Sequence, residues 1–144
     1  MSTLYETAVS LHFSGDTLDP DDLTRLLGKR PSSCERKGQA VQNSRTGGKR
    51  VARSGRWRLS VERRSPGDLD TQIAELVSGA TTDLRTWRKL ADDFKGRVFC
   101  GLFLNEWNEG LRVAPQTLKA LGDRGLFLDL DVYGRDRESD ADSV

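Results

Sequence analysis

Apolar and polar residues alternate with a period of two in three stretches of the chain, and a further stretch is almost continuously apolar. Alternation predicts strands that are buried on one face, because successive side chains of a strand point to opposite sides of the sheet. The four stretches are Tyr5–Phe13, GRWRLSVE from Gly55, RVFCGLFLN from Arg97 and LFLDLDVYG from Leu126. In the last stretch, the residues expected to face the core are Leu126, Leu128, Leu130 and Val132.

Leucine-spaced segments between these strands predict helices, two of which begin at proline. Asp19 can cap a helix that starts at Pro20, where a missing N–H costs nothing, and Gly28 suits the end of that helix. A similar segment starts at Pro115 and is expected to end at Gly122. Two further helical segments lie between residues 68 and 94. The core leucines expected in the two proline-led helices are Leu23, Leu26, Leu118 and Leu121.

The elements follow the order β-α-(hairpin)-β-α-β-α-β, which predicts an α+β fold. One-sided strands favour a single, mostly antiparallel sheet with helices packed on one face. Each half of the chain holds a strand, a turn and a proline-led helix. This repeat has two explanations: an internal duplication, or the general use of proline and glycine at helix ends. We expect one α+β domain over residues 1–134.

Charge is unevenly distributed along the 144 residues, although the formal net charge is only +1. Residues 29–64 hold twelve lysines and arginines against two acidic residues. Within this segment, the polar, glycine-containing residues 36–54 predict a flexible basic hairpin or loop. Residues 135–144 hold four acidic residues against two arginines and have almost nothing to bury, which predicts a disordered acidic tail.

The remaining composition bears on compartment and cofactors. No apolar run approaches the roughly 18 residues of a membrane helix, and the N-terminus lacks the basic and apolar regions of a signal peptide. We therefore expect a cytoplasmic protein, in which Cys34 and Cys100 are unpaired. One histidine and two isolated cysteines give no metal-ligand spacing. No cofactor is expected.

Three segments resemble, in this order, the motifs of a known family: FSGDTLDPDDLTRLLGKRPSSCERKGQ, GRWRLSVE and GLRVAPQTLKALGDRGLFLDLDVYG. They are similar to the proline-led LxPxxLTxLLG helix, the Gly-x-Trp strand and the closing LDLDxYG-type strand of the family called domain of unknown function 4279. The resemblance spans about residues 4–134. It implies a bacterial α+β protein of one domain, and it implies no reaction, ligand or catalytic residue.

Three functions are compatible with these residues, and the first is a non-catalytic interaction module. Such a module would bind a partner protein, or a second copy of itself, through the open sheet face and the basic loop. Small domains of this kind are often immunity or adaptor proteins, which is an analogy of fold and size. Aromatic and charged residues at outward positions favour such a surface. They are His12, Phe99, Phe103, Phe127, Asp129, Asp131 and Tyr133.

The second function is nucleic-acid binding, in which the basic segment 45–58 would contact phosphates. Its basic residues are Arg45, Lys49, Arg50, Arg53, Arg56 and Arg58. The third is a small hydrolase-type enzyme, with His12 as general base beside Asp129 or Asp131. We favour the interaction module, because the sequence has no nucleophile elbow or phosphate loop and the two aspartates would repel phosphate.

Overall fold

The computed structural model describes residues 4–134, so the acidic tail expected over residues 135–144 lies outside the described residues. The strands are β1 (Glu6–Gly15), β2 (Ser33–Glu35), β3 (Ala40–Gln42), β4 (Lys49–Val51), β5 (Gly55–Ser60), β6 (Arg97–Phe103) and β7 (Phe127–Tyr133). The helices are α1 (Pro20–Leu27), α2 (Leu69–Val77), α3 (Leu84–Asp93) and α4 (Pro115–Arg124). Within residues 4–134, no helix is long and apolar enough to cross a membrane.

Five strands form one sheet in the order β2-β5-β1-β6-β7, and β3 pairs with β4 in a separate hairpin. β6 and β7 run parallel, whereas the other neighbours in the sheet run antiparallel. The α+β fold with a mostly antiparallel sheet is therefore confirmed, and a hairpin lies within residues 36–54. The sequence pattern missed β2, because three residues are too few to show a period.

The helices pack on one face of the sheet, where large aromatic side chains fill the core. Phe13, Trp57 and Trp87 are almost completely buried. The rings of Phe13 and Trp57 meet edge to face with centroids 5.8 Å apart, and the Trp57 indole donates a hydrogen bond to Thr24 Oγ1 in α1. Because Trp57 points into the core, its neighbours Arg56 and Arg58 point to the opposite face of the sheet.

Hydrogen bonds between two buried polar residues, Thr7 of β1 and Gln72 of α2, connect α2 to the centre of the sheet. Thr7 and Gln72 are both inaccessible to solvent. Thr7 Oγ1 donates to Gln72 Oε1 at 2.6 Å, while Gln72 Nε2 donates to the carbonyl oxygens of Thr7 and Glu62 at 2.9 and 3.1 Å. Every polar atom of the Gln72 side chain is thus satisfied, which is what allows an amide to be buried there.

The two proline-led helices begin where the sequence predicts, and one ends later. Asp19 caps α1 by accepting a hydrogen bond from the Asp21 N–H, and Gly28 ends it in the left-handed conformation with φ of 74°. The expected end of the second helix at Gly122 is wrong, because α4 continues to Arg124. The left-handed residue that ends α4 is Gly125, with φ of 70°.

Two of the four leucines expected in the core are exposed. Leu23 and Leu121 are buried as predicted, whereas Leu26 and Leu118 are 38% and 53% exposed. Helix α4 buries the face that carries Leu121, and Leu118 lies outside it. Spacing by three or four residues groups side chains on a broad stripe of a helix, and only the middle of that stripe contacts the sheet.

The inward positions of β7 are only partly covered. Leu126 is 8% exposed, as expected for the core, but Leu130 and Val132 are 51% and 56% exposed. β7 is the edge strand of the sheet. Helix α4 contacts β7 and Leu128 packs against the core, but Leu130 and Val132 stay exposed. Alternation therefore identified the correct face of β7, while burial of Leu130 and Val132 was wrongly predicted.

The two halves of the chain share connectivity and differ in strand spacing. α1 connects β1 to β2, which run parallel because each is antiparallel to β5. α4 connects β6 to β7, which are also parallel but directly adjacent. The first pair is thus split by an intervening strand, whereas the second is not. The two similar proline-led segments therefore form crossover helices, one in each half of the chain. An internal duplication stays a prediction.

Candidate functional site

The sheet face opposite the helices carries the outward residues that the sequence singled out. In the register of the strands, His12 of β1 lies between Arg58 of β5 and Arg97 of β6. On this side of the sheet, four residues of β6 lie beside four residues of β7. The pairs are Arg97 with Phe127, Phe99 with Asp129, Gly101 with Asp131 and Phe103 with Tyr133. The structure therefore brings the predicted open-face residues together on one surface, which we call the open face.

A cavity of about 590 Å³ lies where the β3–β4 hairpin meets one end of the open face. The sheet contributes His12, Arg56, Arg58 and Arg97 to its wall, and the hairpin side contributes Val41. We call this space the arginine cavity. It is lined by residues of β1, β2, β3, β5 and β6, among them Glu35 of β2, so no short segment of sequence contains it.

The arginines dominate the electrostatics of the cavity. Partial burial of His12, followed by the positive charges of Arg97, Arg58 and Arg56, lowers the pKa of the imidazole from 6.5 to about 4. Asp129 acts in the opposite direction and is the smallest contribution. At neutral pH the imidazole is therefore uncharged, and the cavity presents guanidinium groups beside a neutral ring.

Two of these guanidinium groups are available for a ligand. Arg97 Nη1 lies 3.0 Å from Asp129 Oδ2 and is partly neutralised by it. Arg56 and Arg58, by contrast, form no ion pair with any residue between 4 and 134. Converging, unpaired arginines favour an anion, because guanidinium groups bind carboxylate or phosphate with two parallel hydrogen bonds.

A second cavity, of about 840 Å³, extends the basic surface along the hairpin. Lys37, Arg50, Arg53 and Arg56 lie in its wall. Since Arg56 lines both cavities, the basic hairpin and the open face form one continuous surface rather than two sites.

The six residues of the predicted basic segment are divided among hairpin and sheet. Arg45 lies between β3 and β4, and Lys49 begins β4; neither lines a cavity described above. Arg50 Nη2 lies 2.5 Å from Glu35 Oε1, so part of its charge is neutralised within the protein. Arg56 and Arg58, on β5, are the members that reach the open face.

Beyond the arginine cavity, the open face becomes aromatic. The rings of Phe103 and Tyr133 stack with centroids 4.7 Å apart and an angle of 7°. Phe99, Phe103 and Tyr133 border a shallow depression of about 140 Å³ at Gly101, where no side chain fills the surface. The guanidinium of Arg63 lies 5.4 Å from the centroid of Phe103. This half of the face offers apolar contact next to positive charge.

The contacts of His12 and the aspartates differ from those of a general-base dyad. His12 Nε2 lies 2.7 Å from Ser10 Oγ, and Asp129 is engaged by Arg97. Asp131 accepts a hydrogen bond of 2.7 Å from the Tyr133 hydroxyl. Within residues 4–134, neither carboxylate is hydrogen-bonded to the imidazole.

Metal-ligating groups and thiols are the remaining chemistry to place within the described residues. Within residues 4–134, no three His, Cys, Asp or Glu side chains are grouped so that they could hold a metal ion. Cys34 and Cys100 are free thiols, the first exposed and the second buried. Burial, with a smaller contribution from Asp129, raises the pKa of the Cys100 thiol to about 12, so it stays protonated at neutral pH.

Sequence reasoning missed two side chains on this surface and an exposed tryptophan in a loop. Arg97 completes the arginine cavity, and its outward position, two residues before Phe99 on the same strand, was readable from the alternation. Arg63 reaches the aromatic half from beyond the end of β5. Trp107 is 92% exposed in the loop between β6 and α4. A tryptophan within the polar run NEWNEG has no apolar neighbours to pack on, and that was the available signal.

The fold and the open face define the class: an α+β protein with helices on one side of a sheet and a basic, aromatic surface on the other. The chain belongs to the family described as "Domain of unknown function (DUF4279)", whose model matches residues 3–135. No match to this chain was found among curated proteins or among solved structures. The family resemblance inferred from the motifs is therefore confirmed.

Proposed function

We propose that this protein is a non-catalytic binding module that takes an acidic segment of a partner protein in the arginine cavity. The observation that carries the proposal is the convergence of Arg56, Arg58 and Arg97 around one cavity. Two of these three arginines have no ion-pair partner within residues 4–134. A carboxylate from a partner would supply that missing charge.

The surroundings of the cavity suit a peptide ligand. A segment whose carboxylates lie against Arg56 and Arg58 would continue over Phe99 and the depression at Gly101. Apolar side chains of the segment would be buried there, while the basic hairpin would increase the rate of encounter with an acidic partner.

Acidic groups on the same surface favour a protein ligand over a nucleic acid. Asp129 and Asp131 lie on the open face, and Glu35 lies in the wall of the arginine cavity. A phosphate backbone crossing the face would meet these carboxylates after it left the arginines. A peptide can place neutral or basic side chains opposite them, whereas every linkage of a nucleic acid is charged.

We further propose a location in the bacterial cytoplasm and an adaptor- or immunity-like role. Two free thiols, Cys34 and Cys100, are in keeping with a reducing compartment. The role rests on an analogy of size and fold with small binding domains, which is a weaker kind of support than the geometry of the cavity.

Fluorescence anisotropy at low salt tests the ligand class. The protein is titrated into a labelled peptide of aspartate, glutamate and leucine, a labelled single-stranded RNA and a labelled DNA duplex. We expect the acidic peptide to bind, and to bind less tightly as salt is added, because the contacts are ionic. Tighter binding of RNA or duplex DNA would instead support the nucleic-acid alternative. Self-association in sedimentation velocity, with none of the labelled ligands bound, would favour a second copy as partner.

A pair of charge reversals tests the location. Arg58→Glu changes the arginine cavity, whereas Arg85→Glu makes the same change in net charge at an exposed position of α3, on the other side of the sheet. We expect Arg58→Glu to weaken peptide binding about tenfold or more, from the loss of hydrogen bonds to a charged group. Arg85→Glu should have a much smaller effect. Equal losses in both variants would show that only net charge matters and would contradict the proposed site.

A further inference from the structure

Among the strands of residues 4–134, β7 has an unpaired outer edge, and the side chains on its two faces differ in character. β7 is the last strand in the sheet order, so no strand within residues 4–134 pairs with its outer edge. It is seven residues long and mostly exposed. Proteins usually protect such edges with short strands, lysine, proline or bulges, because an open edge is a template for pairing.

Hydrogen bonds at the two ends of β7 show which backbone groups face outwards. The Phe127 N–H donates to the Gly96 carbonyl, and the Tyr133 carbonyl accepts from the Leu104 N–H. In a parallel ladder the backbone groups of alternate residues point to the same neighbour. The odd-numbered residues of β7 therefore bond to β6, while the N–H and C=O groups of Leu128, Leu130 and Val132 point to the open edge.

Side chains above and below that edge have opposite character. On the helix side, Leu130 and Val132 are 51% and 56% exposed, and Leu118 of α4 is 53% exposed near the same end of the helix layer. On the open face, Asp129 and Asp131 lie two residues apart. A strand added beside β7 would meet leucine and valine on one face. On the other face it would meet two carboxylates that lie between the exposed rings of Phe127 and Tyr133.

We infer that the β7 edge binds an extended partner segment in which basic residues alternate with apolar ones. Its backbone would pair with Leu128, Leu130 and Val132, its lysines or arginines would lie beside Asp129 and Asp131, and its apolar residues would cover Leu130 and Val132. This mode is β-strand addition, in which main-chain hydrogen bonds supply affinity and alternate side chains supply specificity. The site adjoins the arginine cavity, because Asp129 is ion-paired with the cavity residue Arg97, and it selects the opposite charge.

Charge also argues against a second copy of the chain in the registers that would pair five or more residues of β7 with β7. In a symmetric antiparallel pairing centred on Leu130, Asp129 of one copy would lie opposite Asp131 of the other. A pairing centred on either aspartate would place that residue opposite itself. Like charges directly opposite each other destabilise a strand pair, so a basic strand fits this edge better than β7 itself.

The test uses the full chain and two short peptides, one of alternating lysine and valine and one with glutamate in place of lysine. Binding is measured by fluorescence anisotropy, and hydrogen exchange is followed by NMR at single amides. We expect the lysine peptide to bind more tightly and to protect the amides of Leu128, Leu130 and Val132. Equal binding of both peptides, or protection elsewhere, would overturn the inference.

A proline at the edge separates backbone pairing from charge attraction. Leu130→Pro removes an N–H that points outwards and leaves the hydrogen bonds to β6 in place, and edge strands tolerate such a proline. We expect Leu130→Pro to weaken the lysine peptide about fivefold or more, as for one lost hydrogen bond, relative to the matched control Leu130→Ala. Unchanged binding in Leu130→Pro would overturn the inference. It would mean that the lysine peptide is held by charge attraction alone, for example to the acidic residues within 136–142, and not by pairing with the backbone of β7.

A second variant covers the case in which Leu130→Pro does not fold. Asp131 is exposed, so Asp131→Lys changes the charge at the edge without entering the core. We expect the lysine peptide to lose about fivefold in affinity, the size of one opposite-charge pair across strands, and the glutamate peptide to gain. Concentration-dependent protection of the three amides without any peptide would also overturn the inference, because a second copy would then be the occupant.

Discussion

Lowering the pH from 7 to 4 should destabilise the protein through its single histidine. The folded pKa of His12 falls from 6.5 to about 4, first because the ring is partly buried and then because Arg97, Arg58 and Arg56 surround it. In the unfolded chain the ring regains a pKa near 6.5. Between these two values the unfolded state binds more protons than the folded state, so stability is lost as the pH falls through this window.

The structure sets the size of the effect. A fall from 6.5 to about 4 corresponds to about 3.4 kcal/mol of difference between the charged and the neutral ring. The ring is only half-buried, and solvent screening reduces its contribution to stability to about 1–2 kcal/mol. The contribution of His12 should be fully present above pH 6.5 and absent below about pH 4.

Urea unfolding of the wild-type protein and of His12→Gln at several pH values isolates this contribution. Both proteins have the same titrating carboxylates, so the effect of those groups cancels in the difference. The difference in unfolding free energy between them should change by about 1–2 kcal/mol across the window. An NMR titration of the His12 ring gives the folded pKa directly, since the chain has one histidine. Arg58→Ser should raise that pKa. A folded pKa near 6.5 would refute the account of a partly buried ring surrounded by arginines.

Three other predictions follow from the packing. Leu121→Ala should lower the unfolding free energy by about 2–5 kcal/mol. Leu118 is exposed, so Leu118→Ala should lower it by less than about 0.5 kcal/mol. Similar losses for the two variants in urea unfolding would contradict the assigned burial. Gln72→Ala should lower the unfolding free energy by about 1–3 kcal/mol, because the Thr7 hydroxyl and two carbonyls lose their partner. Unchanged stability would mean that water replaces the amide. Iodoacetamide should label one thiol per folded chain, Cys34, and mass spectrometry showing equal labelling of Cys100 would contradict its burial.

The sequence predicts which face of each strand is buried more reliably than how far the burial extends. Leu11 and Phe13 in β1 and Trp57 in β5 are buried, as their alternation predicts. Leu130 and Val132 obey the same alternation, yet both are more than half-exposed, because β7 is an edge strand that the helices cover only in part. Strand order depends on long-range pairing, and a local period contains no information about it.

The candidate site was predictable residue by residue but not as a cavity. Alternation placed His12 and Arg58 on the outward face, and the same rule would have added Arg97. Their convergence depends on the non-local order β5-β1-β6 and on the β3–β4 hairpin that closes one end. The sequence therefore separated a basic loop from an aromatic face, whereas Arg56 joins them in the structure.

The most direct test of the central claim is an NMR titration of the isotope-labelled protein with the unlabelled acidic peptide at low salt and pH 7. The account predicts shifts in the His12 ring and in the amides of Arg56, Arg58 and Arg97, the residues that line the arginine cavity. The open-face residues Phe99 and Gly101 should follow at higher peptide concentration. Shifts confined to helices α2–α4, with the His12 ring unchanged while the peptide binds, would contradict the account.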